Sequence, residues 1–305
     1  MKFSDIPELT PFLNGKPPGL AFSGVQCDSR RLKAGDLFVA LSGSRDDGAK
    51  YAAAALAKGA AAVLAEAPVR EVAARQTVVV RDARRALACL AAALNGWPSR
   101  ALRVFGVTGT NGKTTTAWLL RELLRAGGLN PGLLTTVQVE YGDRVIPAQR
   151  TTPDACELQG LLAAMRGAGC DTAVMEVSSH ALDQSRTASL RFEAAAFTNL
   201  SQDHLDYHGT MEAYFLTKQR LFAQLAEDRP GAAAVCFRDA GYGEAMAAYL
   251  ATLPLRRITC GFSQEADLRA EDIRVMPDGS GFTLAAPDGQ RRALRVHLAG
   301  RYNIA

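Results

Sequence analysis

The stretch LRVFGVTGTNGKTTT, residues 102–116, leads directly into AWLLRELLRAG, residues 117–127. Its first half is an apolar run typical of a buried strand, and the residues after it have the apolar spacing of a helix. A glycine-rich turn between strand and helix presents backbone N–H groups and the positive end of the helix dipole, and both attract phosphate. The stretch therefore predicts a phosphate site at its central turn.

The side chains of this turn favour ATP with Mg²⁺ as the ligand. Lys113 is placed to reach the β- and γ-phosphates, and the Thr114 hydroxyl is placed to bind Mg²⁺. The spacing departs from the usual phosphate-loop pattern, because Val107 stands where the first glycine is expected. The alternative is a tight turn without a ligand. We expect nucleotide contacts from the whole loop, namely Gly109, Thr110, Asn111, Gly112, Lys113, Thr114 and Thr115.

Strand, loop and helix continue to alternate after this loop. Such alternation predicts an α/β fold whose mostly parallel sheet is flanked by helices. Turn signals in residues 272–298 predict an antiparallel hairpin. The predicted strands are residues 102–107, 131–135, 172–177, 194–197, 233–237 and 257–260, with helices starting near Lys113, Asp154, Thr210 and Gly241.

A smaller α/β region precedes the loop. Asp82 is a candidate N-cap for a helix that runs to about Leu94, and Gly-Trp-Pro-Ser at residues 96–99 interrupts the pattern. We therefore expect an N-terminal domain at residues 1–98 and a nucleotide-binding domain at residues 99–305. The other predicted elements of the first domain are strands at 21–27, 37–41, 60–65 and 77–80 and a helix at 51–58.

Composition argues against nucleic acid and membranes as partners. The 305 residues carry a net charge of +4, and the longest basic runs are pairs such as Arg84-Arg85. No apolar stretch is long enough to cross a bilayer, and the first residues lack the apolar centre of a signal peptide. Six cysteines without CxxC spacing favour reduced thiols. We expect a cytoplasmic protein, and a monomer.

Two lysines stand out against a strong preference for arginine. After Lys58 the chain has 25 arginines and only two lysines, Lys113 and Lys218. A lysine kept against this preference indicates a task that arginine cannot perform. For Lys113 that task is a compact charge among phosphates. For Lys218 the spacing suggests none, and a chance lysine on a solvated helix is the alternative.

Five segments together resemble the Mur ligases, in the same order and over nearly the whole chain. They are DSRRLKAGDLFVAL (28–41), GTNGKTTT (109–116), TTPDA (151–155), VMEVSSHALDQSR (174–186) and FTNLSQDHLDYHGTMEAYFLTKQRLF (197–222). The chain is most similar to the members that add the third amino acid to UDP-N-acetylmuramoyl-L-alanyl-D-glutamate. The phosphate loop by itself would not separate these enzymes from folylpolyglutamate synthetases.

The resemblance implies a catalytic centre made of Lys113, Glu176, His204 and Lys218. Thr114, Glu176 and His204 match positions at the family's magnesium sites, and Lys218 matches a lysine that carbon dioxide converts to a carbamate facing the metal. Glu176 suits Mg²⁺ as an oxygen donor, whereas imidazole is not a favoured ligand. A carbamate requires a neutral amine, which arginine cannot supply. Structural roles are the alternative for Glu176 and His204.

The resemblance also assigns the substrate contacts. Ser29 and Arg30 align with contacts on the uridine side, and Asn303 with a contact to adenine. Capping or turn formation is the alternative for the threonines and the serine of this set. The residues that align with contacts to the sugar and the dipeptide are Thr151, Thr152, Ser178, Gln184 and Arg186.

The implied reaction is ATP-driven amide formation in peptidoglycan precursor synthesis. The D-glutamate carboxylate attacks the γ-phosphate of ATP, and the amine of an amino acid attacks the resulting acyl phosphate. Family members continue into a third domain that selects the amino acid, whereas this sequence stops at LAGRYNIA. We therefore expect this chain to be catalytically incomplete by itself, and its sequence does not distinguish diaminopimelate, lysine or another amino acid.

Two other functions stay open at this point. One is a different ligase of the superfamily, acting on folate or on recycled peptides. The segment DSRRLKAGDLFVAL (28–41), which resembles a UDP-sugar-binding segment, argues against folate. The other is a noncatalytic module that binds ATP and a UDP-sugar and pairs with another chain.

Overall fold

The computed structural model describes residues 1–16, 18–43, 46–239 and 241–304. By their internal contacts the residues divide into two compact units. The first unit combines residues 1–101 with residues 153–167 and 183–190. The second comprises residues 102–152, 168–182 and 191–305. The domain boundary near residue 98 stays a prediction.

The regular elements of the described residues follow in chain order. The strands are β1 (Gly24–Gln26), β2 (Asp36–Val39), β3 (Ala62–Ala65), β4 (Thr77–Val79), β5 (Arg103–Thr108), β6 (Pro131–Leu134), β7 (Gln138–Tyr141), β8 (Arg144–Pro147), β9 (Thr172–Glu176), β10 (Phe192–Phe197), β11 (Ala233–Phe237), β12 (Arg256–Gly261), β13 (Leu268–Met276), β14 (Gly279–Ala285) and β15 (Arg291–Val296). The α-helices are α1 (Ala52–Ala57), α2 (Ala83–Leu94), α3 (Lys113–Ala126), α4 (Ala155–Gly167), α5 (Ser179–Asp183), α6 (Leu205–His208), α7 (Met211–Asp228) and α8 (Gly243–Ala251).

Short 3₁₀ helices connect several of these elements. They span Phe3–Asp5, Pro7–Phe12, Gly48–Tyr51, Ala74–Gln76, Pro98–Arg100 and Arg301–Asn303. None of the helices in the described part of the chain combines the length and the apolar character that crossing a bilayer requires.

The first unit contains a four-stranded parallel sheet in the order β1-β2-β3-β4. Its largest core cluster joins apolar residues of β2, β3 and α2 to Ala155 at the start of α4. The predicted N-cap of α2 is confirmed, since the Asp82 carboxylate accepts a hydrogen bond of 2.9 Å from the Arg85 N–H. Such a cap satisfies a backbone donor that has no partner inside the helix.

The second unit contains one eleven-stranded sheet in the order β15-β14-β13-β12-β11-β10-β5-β9-β6-β7-β8. The seven strands from β13 to β6 are parallel, and antiparallel strands extend the sheet at both sides. Helices α3, α7 and α8 pack against the parallel part. The predicted mixed α/β fold with a mostly parallel sheet is therefore confirmed.

The antiparallel ends differ from the sequence prediction. The single hairpin expected at residues 272–298 is part of a three-stranded meander, because β14 pairs antiparallel with both β13 and β15. Strand β13 already begins at Leu268, where it pairs with β12. The hairpin of β7 and β8 was missed. All four residues of β8 are exposed, so this strand has no buried face and therefore lacks the alternation that identifies a half-buried strand.

Candidate active site

The glycine-rich loop leaves the end of β5 and enters α3 at Lys113, as the sequence predicted. Two of its glycines have backbone conformations that side chains rarely adopt, with φ of +144° at Gly109 and +81° at Gly112. A Cβ on Gly109 would lie 1.9 Å from Thr198 Oγ1. Glycine is therefore required at residue 109 by both the backbone angle and the space available.

The residues after β10 hold this loop in place. Asn199 Nδ2 donates to the Asn111 carbonyl at 3.1 Å, and Asn199 Oδ1 accepts from the Asn111 N–H at 3.1 Å. Thr198 Oγ1 donates to the same carbonyl at 2.6 Å, and the Thr110 N–H donates to the Asn199 carbonyl. Thr198 was not singled out from the sequence. Its signal was its place at the carboxyl end of a central parallel strand, where ligand sites form.

Lys113 and Lys218 meet at one carbonyl group. Lys113 Nζ donates to the Gly109 carbonyl at 3.0 Å and to the Thr110 carbonyl at 2.8 Å. Lys218 Nζ donates to the Gly109 carbonyl at 2.9 Å. The two lysines that the arginine preference singled out are thus brought together, although 104 residues separate them in the chain.

Burial weakens the proton affinity of both amines. It lowers the pKa of Lys113, while Glu176 and Asp203 oppose the effect. Burial and the neighbouring Lys113 ammonium together lower the pKa of Lys218 to about 7, although Asp203 opposes them. Lys218 also lies 4.5 Å from the ring centroid of Tyr214. Near neutral pH a substantial share of Lys218 is therefore an uncharged amine, the nucleophilic form.

Glu176 ends β9 and is 1% exposed. Its Oε1 accepts hydrogen bonds from Thr114 Oγ1 at 2.7 Å and from the Thr136 N–H at 2.8 Å, and its Oε2 accepts from Thr136 Oγ1 at 3.1 Å. Thr136 was not singled out from the sequence. A buried carboxylate beside a hydroxyl is a set of hard oxygen donors, which fits Mg²⁺.

Three of the four histidines lie in one aromatic cluster beside the loop. The ring centroid of His180 is 4.9 Å from that of His204 and 5.7 Å from that of His208. His208 stacks on Tyr214 at 4.9 Å, and the Tyr214 hydroxyl lies 3.3 Å from Thr110 Oγ1. Within the described residues, no group of three or more His, Cys, Asp or Glu side chains is arranged to hold a metal.

Thr151, Thr152 and Ser178 lie near the Glu176 end of β9. Thr151 Oγ1 lies 3.0 Å from Thr136 Oγ1. The buried Thr152 hydroxyl donates to the Glu176 carbonyl at 2.9 Å and accepts from the Ser178 N–H at 3.0 Å. The hydroxyl of Ser178 accepts from the Ala181 N–H. These side chains already have structural bonds, so a role for them in substrate binding stays a prediction.

The other predicted substrate residues fall in different parts of the fold. Ser29, Arg30, Gln184 and Arg186 belong to the first unit. Hydrogen bonds from Arg30 hold the pKa of Asp28 down at about 2. Arg186 donates to Gln184 Oε1 through Nε at 3.1 Å. Asn303 belongs to the second unit, where its Nδ2 donates to the Ala299 carbonyl at 2.8 Å.

Comparison with known families agrees with this arrangement. Residues 107–305 match the Mur ligase middle domain, and residues 21–94 match the Mur ligase family catalytic domain. The chain belongs to the Mur ligase family. The glycine-rich loop, Glu176 with its hydrogen-bond partners, and the aromatic cluster of His180, His204 and His208 all lie within the part that matches the middle domain of Mur ligases.

Several relatives have the same name, UDP-N-acetylmuramoyl-L-alanyl-D-glutamate–2,6-diaminopimelate ligase. The protein from Geobacter sulfurreducens is 41% identical over 92% of this chain and 55% of its own length. The protein from Listeria monocytogenes serovar 1/2a is 38% identical over 100% of this chain and 62% of its own length. The chain therefore spans about three fifths of the curated relatives that it matches.

Solved structures of Mur ligases share the fold. A structure of a diaminopimelate ligase of the same name superimposes with a TM-score of 0.83 at 31% identity, over 98% of this chain and 61% of the other. A MurF ligase from Thermotoga maritima, solved in complex with ADP, gives a TM-score of 0.61 at 22% identity, over 92% of this chain and 60% of the other. The second likeness supports the fold alone.

Proposed function

We propose that this chain is the ATP- and UDP-sugar-binding part of a ligase that adds an amino acid to UDP-N-acetylmuramoyl-L-alanyl-D-glutamate. The amino acid proposed is 2,6-diaminopimelate, the one in the names of the relatives. One observation carries the proposal: at the start of α3, Lys113 donates to the Gly109 carbonyl of the glycine-rich loop, and the adjacent Thr114 hydroxyl donates to the buried Glu176 carboxylate. A cytoplasmic location and a monomeric state stay predictions.

The loop supplies binding and charge for phosphoryl transfer. Its N–H groups and the start of α3 attract the phosphates of ATP. Lys113 now donates to two carbonyls of its own loop, and γ-phosphate oxygens offer it charged acceptors of greater strength. In the proposed reaction a carboxylate oxygen of the D-glutamate attacks the γ-phosphorus, and ADP leaves. Lys113 stabilises the negative charge on the transferring group.

Mg²⁺ is the proposed metal, held by Thr114, Glu176 and His204. Bound there, it neutralises charge on the phosphates during transfer. The chain's own contribution is the orientation of Glu176, which the Thr136 N–H and two hydroxyls fix. The second half of the reaction, attack of an amine on the acyl phosphate, requires no protein nucleophile.

Lys218 is the proposed site of a carbamate. Its lowered pKa of about 7 makes the neutral amine available to carbon dioxide. The resulting carbamate replaces a cation next to Lys113 by an anion, which removes the repulsion between the two side chains. Its negative charge also suits a group that faces Mg²⁺.

The UDP-sugar dipeptide is the proposed second ligand. Ser29 and Arg30 are proposed for the uridine side, and the planar fork of Arg186 suits a carboxylate of the dipeptide. Asn303 and Thr115 are proposed on the nucleotide side. The remaining proposed contacts to the sugar and dipeptide are Thr151, Thr152, Ser178 and Gln184.

Calorimetric titration with a nonhydrolysable ATP analogue and Mg²⁺ tests the nucleotide site. We expect Lys113→Met to weaken binding at least tenfold, because the loop loses its only side-chain cation for the phosphates. Lys58→Met, an exposed lysine of the first unit, is the matched control and should bind as the wild type does. Equal affinity of Lys113→Met and the wild type would overturn the nucleotide assignment.

A second titration tests the UDP-sugar. The ligand is UDP-N-acetylmuramoyl-L-Ala-D-Glu, added with Mg²⁺ and the ATP analogue present, to the wild type and to Arg186→Ala. Binding by the wild type that Arg186→Ala weakens supports the substrate class. Retained nucleotide binding without any binding of the UDP-sugar would contradict it.

A further inference from the structure

Two cysteines of the first unit lie against each other at a place where no function was assigned. Cys27 directly follows β1, and Cys156 lies in the first turn of α4. Cys156 Sγ lies 3.4 Å from the carbonyl oxygen of Val25, two residues before Cys27, and the Cys156 thiol is close enough to Cys27 to perturb its pKa. Both side chains pack against the same core cluster and are only partly buried.

Ionic contacts hold the same two segments together. Arg31 Nη1 lies 3.6 Å from Asp154 Oδ2 and 3.5 Å from Glu157 Oε2. Asp154 also accepts a hydrogen bond from the Glu157 N–H at 3.0 Å, which fixes the start of α4. Contacts with the start of α4 therefore occur both before and after Cys27 in the sequence, at Val25 and at Arg31, and they support the proximity of the two sulfurs.

The two sulfurs are chemically unequal. The hydrogen bond with Cys156 lowers the pKa of Cys27, against the opposing effects of burial and of Asp154 and Asp28. The same contact raises the pKa of Cys156. Because the thiolate is the reactive form of cysteine, this difference in pKa favours Cys27 as the nucleophile and Cys156 as the thiol that resolves its oxidised product.

We propose that Cys27 and Cys156 form a reversible intramolecular disulfide on exposure to a peroxide. The Cys27 thiolate attacks one oxygen of hydrogen peroxide and the O–O bond breaks; with one proton taken up, Cys27 sulfenic acid and water result. The Cys156 sulfur then attacks the sulfenic sulfur, the S–O bond breaks, and the thiol proton leaves with the hydroxide as a second water. Two thiols are oxidised and one peroxide is reduced to two waters.

The disulfide would join the end of β1 to the start of α4, directly before the segment from Asp28 to Arg31, whose Arg31 pairs with Asp154. This segment contains Ser29 and Arg30. The proposal rests on the contact between the thiols and not on the proposed function, and the test below does not use a substrate.

A second cysteine pair serves as an internal control. Cys260 Sγ lies 3.6 Å from the Cys236 carbonyl oxygen. In the parallel pairing of β11 and β12, however, Cys236 is opposite Thr259 and Cys260 is opposite Phe237. Because side chains alternate between the faces of a sheet, the two thiols point to opposite faces and cannot bond. Burial also raises their pKa values, to about 12 for Cys236 and about 11 for Cys260.

The test is a count of thiols on the whole chain. The protein is treated with hydrogen peroxide, quenched, and alkylated with iodoacetamide in denaturant, and its mass is measured. We expect the number of alkylated cysteines to fall from six to four, a digest to contain a Cys27–Cys156 linked peptide, and dithiothreitol to restore six. Six alkylated cysteines after peroxide, or a disulfide between other cysteines, would overturn the proposal.

Single variants separate the two roles. Cys260→Ser should still form the disulfide, so that five alkylated cysteines fall to three. Cys156→Ser should stop at Cys27 sulfenic acid, which dimedone traps as an adduct on the peptide that contains Cys27. Circular dichroism shows whether each variant is folded. Dimedone labelling of Cys156 in Cys27→Ser, with none of Cys27 in Cys156→Ser, would contradict the assignment of the nucleophile.

Discussion

The Lys218 residue is 1% exposed. Its pKa is lowered to about 7, mainly by burial and to a smaller extent by the Lys113 ammonium. The folded state therefore disfavours its proton. Between pH 7 and about 10.4, the ordinary lysine pKa, the unfolded chain binds more protons than the folded one. Burial of the protonated Lys218 lowers the free energy of unfolding, and this loss is recovered as the pH rises through that window.

We predict that the free energy of unfolding of the wild type rises relative to Lys218→Met between pH 7.5 and 9.5. The expected slope is about 1.4 kcal/mol per pH unit. Denaturant unfolding measures it, with Trp118 as the probe of the second unit in a Trp97→Phe background. Parallel pH profiles of the two proteins would contradict the lowered pKa.

The two strained glycines of the loop give a matched pair of substitutions. A Cβ at residue 109 meets Thr198 Oγ1 at 1.9 Å and the Asn199 nitrogen at 3.1 Å, whereas a Cβ at residue 112 meets nothing within 4 Å. We predict that Gly109→Ala lowers the affinity for the ATP analogue more than tenfold. Gly112→Ala carries only backbone strain, about 1–3 kcal/mol. Calorimetry and thermal unfolding compare them, and equal losses in both would be inconsistent with the steric argument.

Helix α3 is joined to the β7 strand by a buried ion pair. The Arg121 side chain is 5% exposed and contacts both Glu140, 12% exposed, and Glu122, 55% exposed. Arg121 also stacks on Trp118 at 4.0 Å. Removing the buried partner of a charge leaves that charge without compensation, whereas an exposed partner contributes little.

We therefore predict that Glu140→Gln lowers the free energy of unfolding by about 2–4 kcal/mol. Glu122→Gln, on the same arginine, should lower it by less than about 1 kcal/mol. Urea unfolding followed by Trp118 fluorescence measures both. A larger effect from Glu122→Gln would show that the burial of Glu140 does not govern the strength of this link.

At the scale of the molecule, the first unit is not continuous in sequence. It takes in α4, whose Leu158, Leu162 and Met165 are fully buried. A domain is stable by only about 5–15 kcal/mol, and each buried side chain of this size contributes about 1.5–3 kcal/mol. The fragment of residues 1–101 therefore lacks a large share of what stabilises this unit.

We predict that a fragment of residues 1–101 unfolds at a temperature at least 10 °C below that of the first unit in the whole chain. Thermal circular dichroism of the fragment, and Trp97 fluorescence of the whole chain, give the two temperatures. A synthetic peptide of residues 153–167 should raise the temperature of the fragment, and the same peptide with Leu162→Asp should not. An equal unfolding temperature without the peptide would show that residues 1–101 fold independently.

The sequence by itself determined the features that depend on neighbouring residues. The apolar runs and their spacing predicted most strands and helices, Asp82 predicted the start of α2, and the glycine-lysine-threonine turn predicted the loop at the start of α3. The lack of lysine after Lys58 singled out Lys113 and Lys218. Local backbone preferences and side-chain chemistry decide such features, and both can be read over a few residues.

Only the tertiary structure decided what depends on distant residues. Lys218 meets the Gly109 carbonyl across 109 positions, Thr136 holds Glu176, and Cys27 meets Cys156. The exposed β8 strand gave no periodic signal because it buries no face. These arrangements follow from the order in which strands pair and from the burial that results, and no local pattern encodes that order.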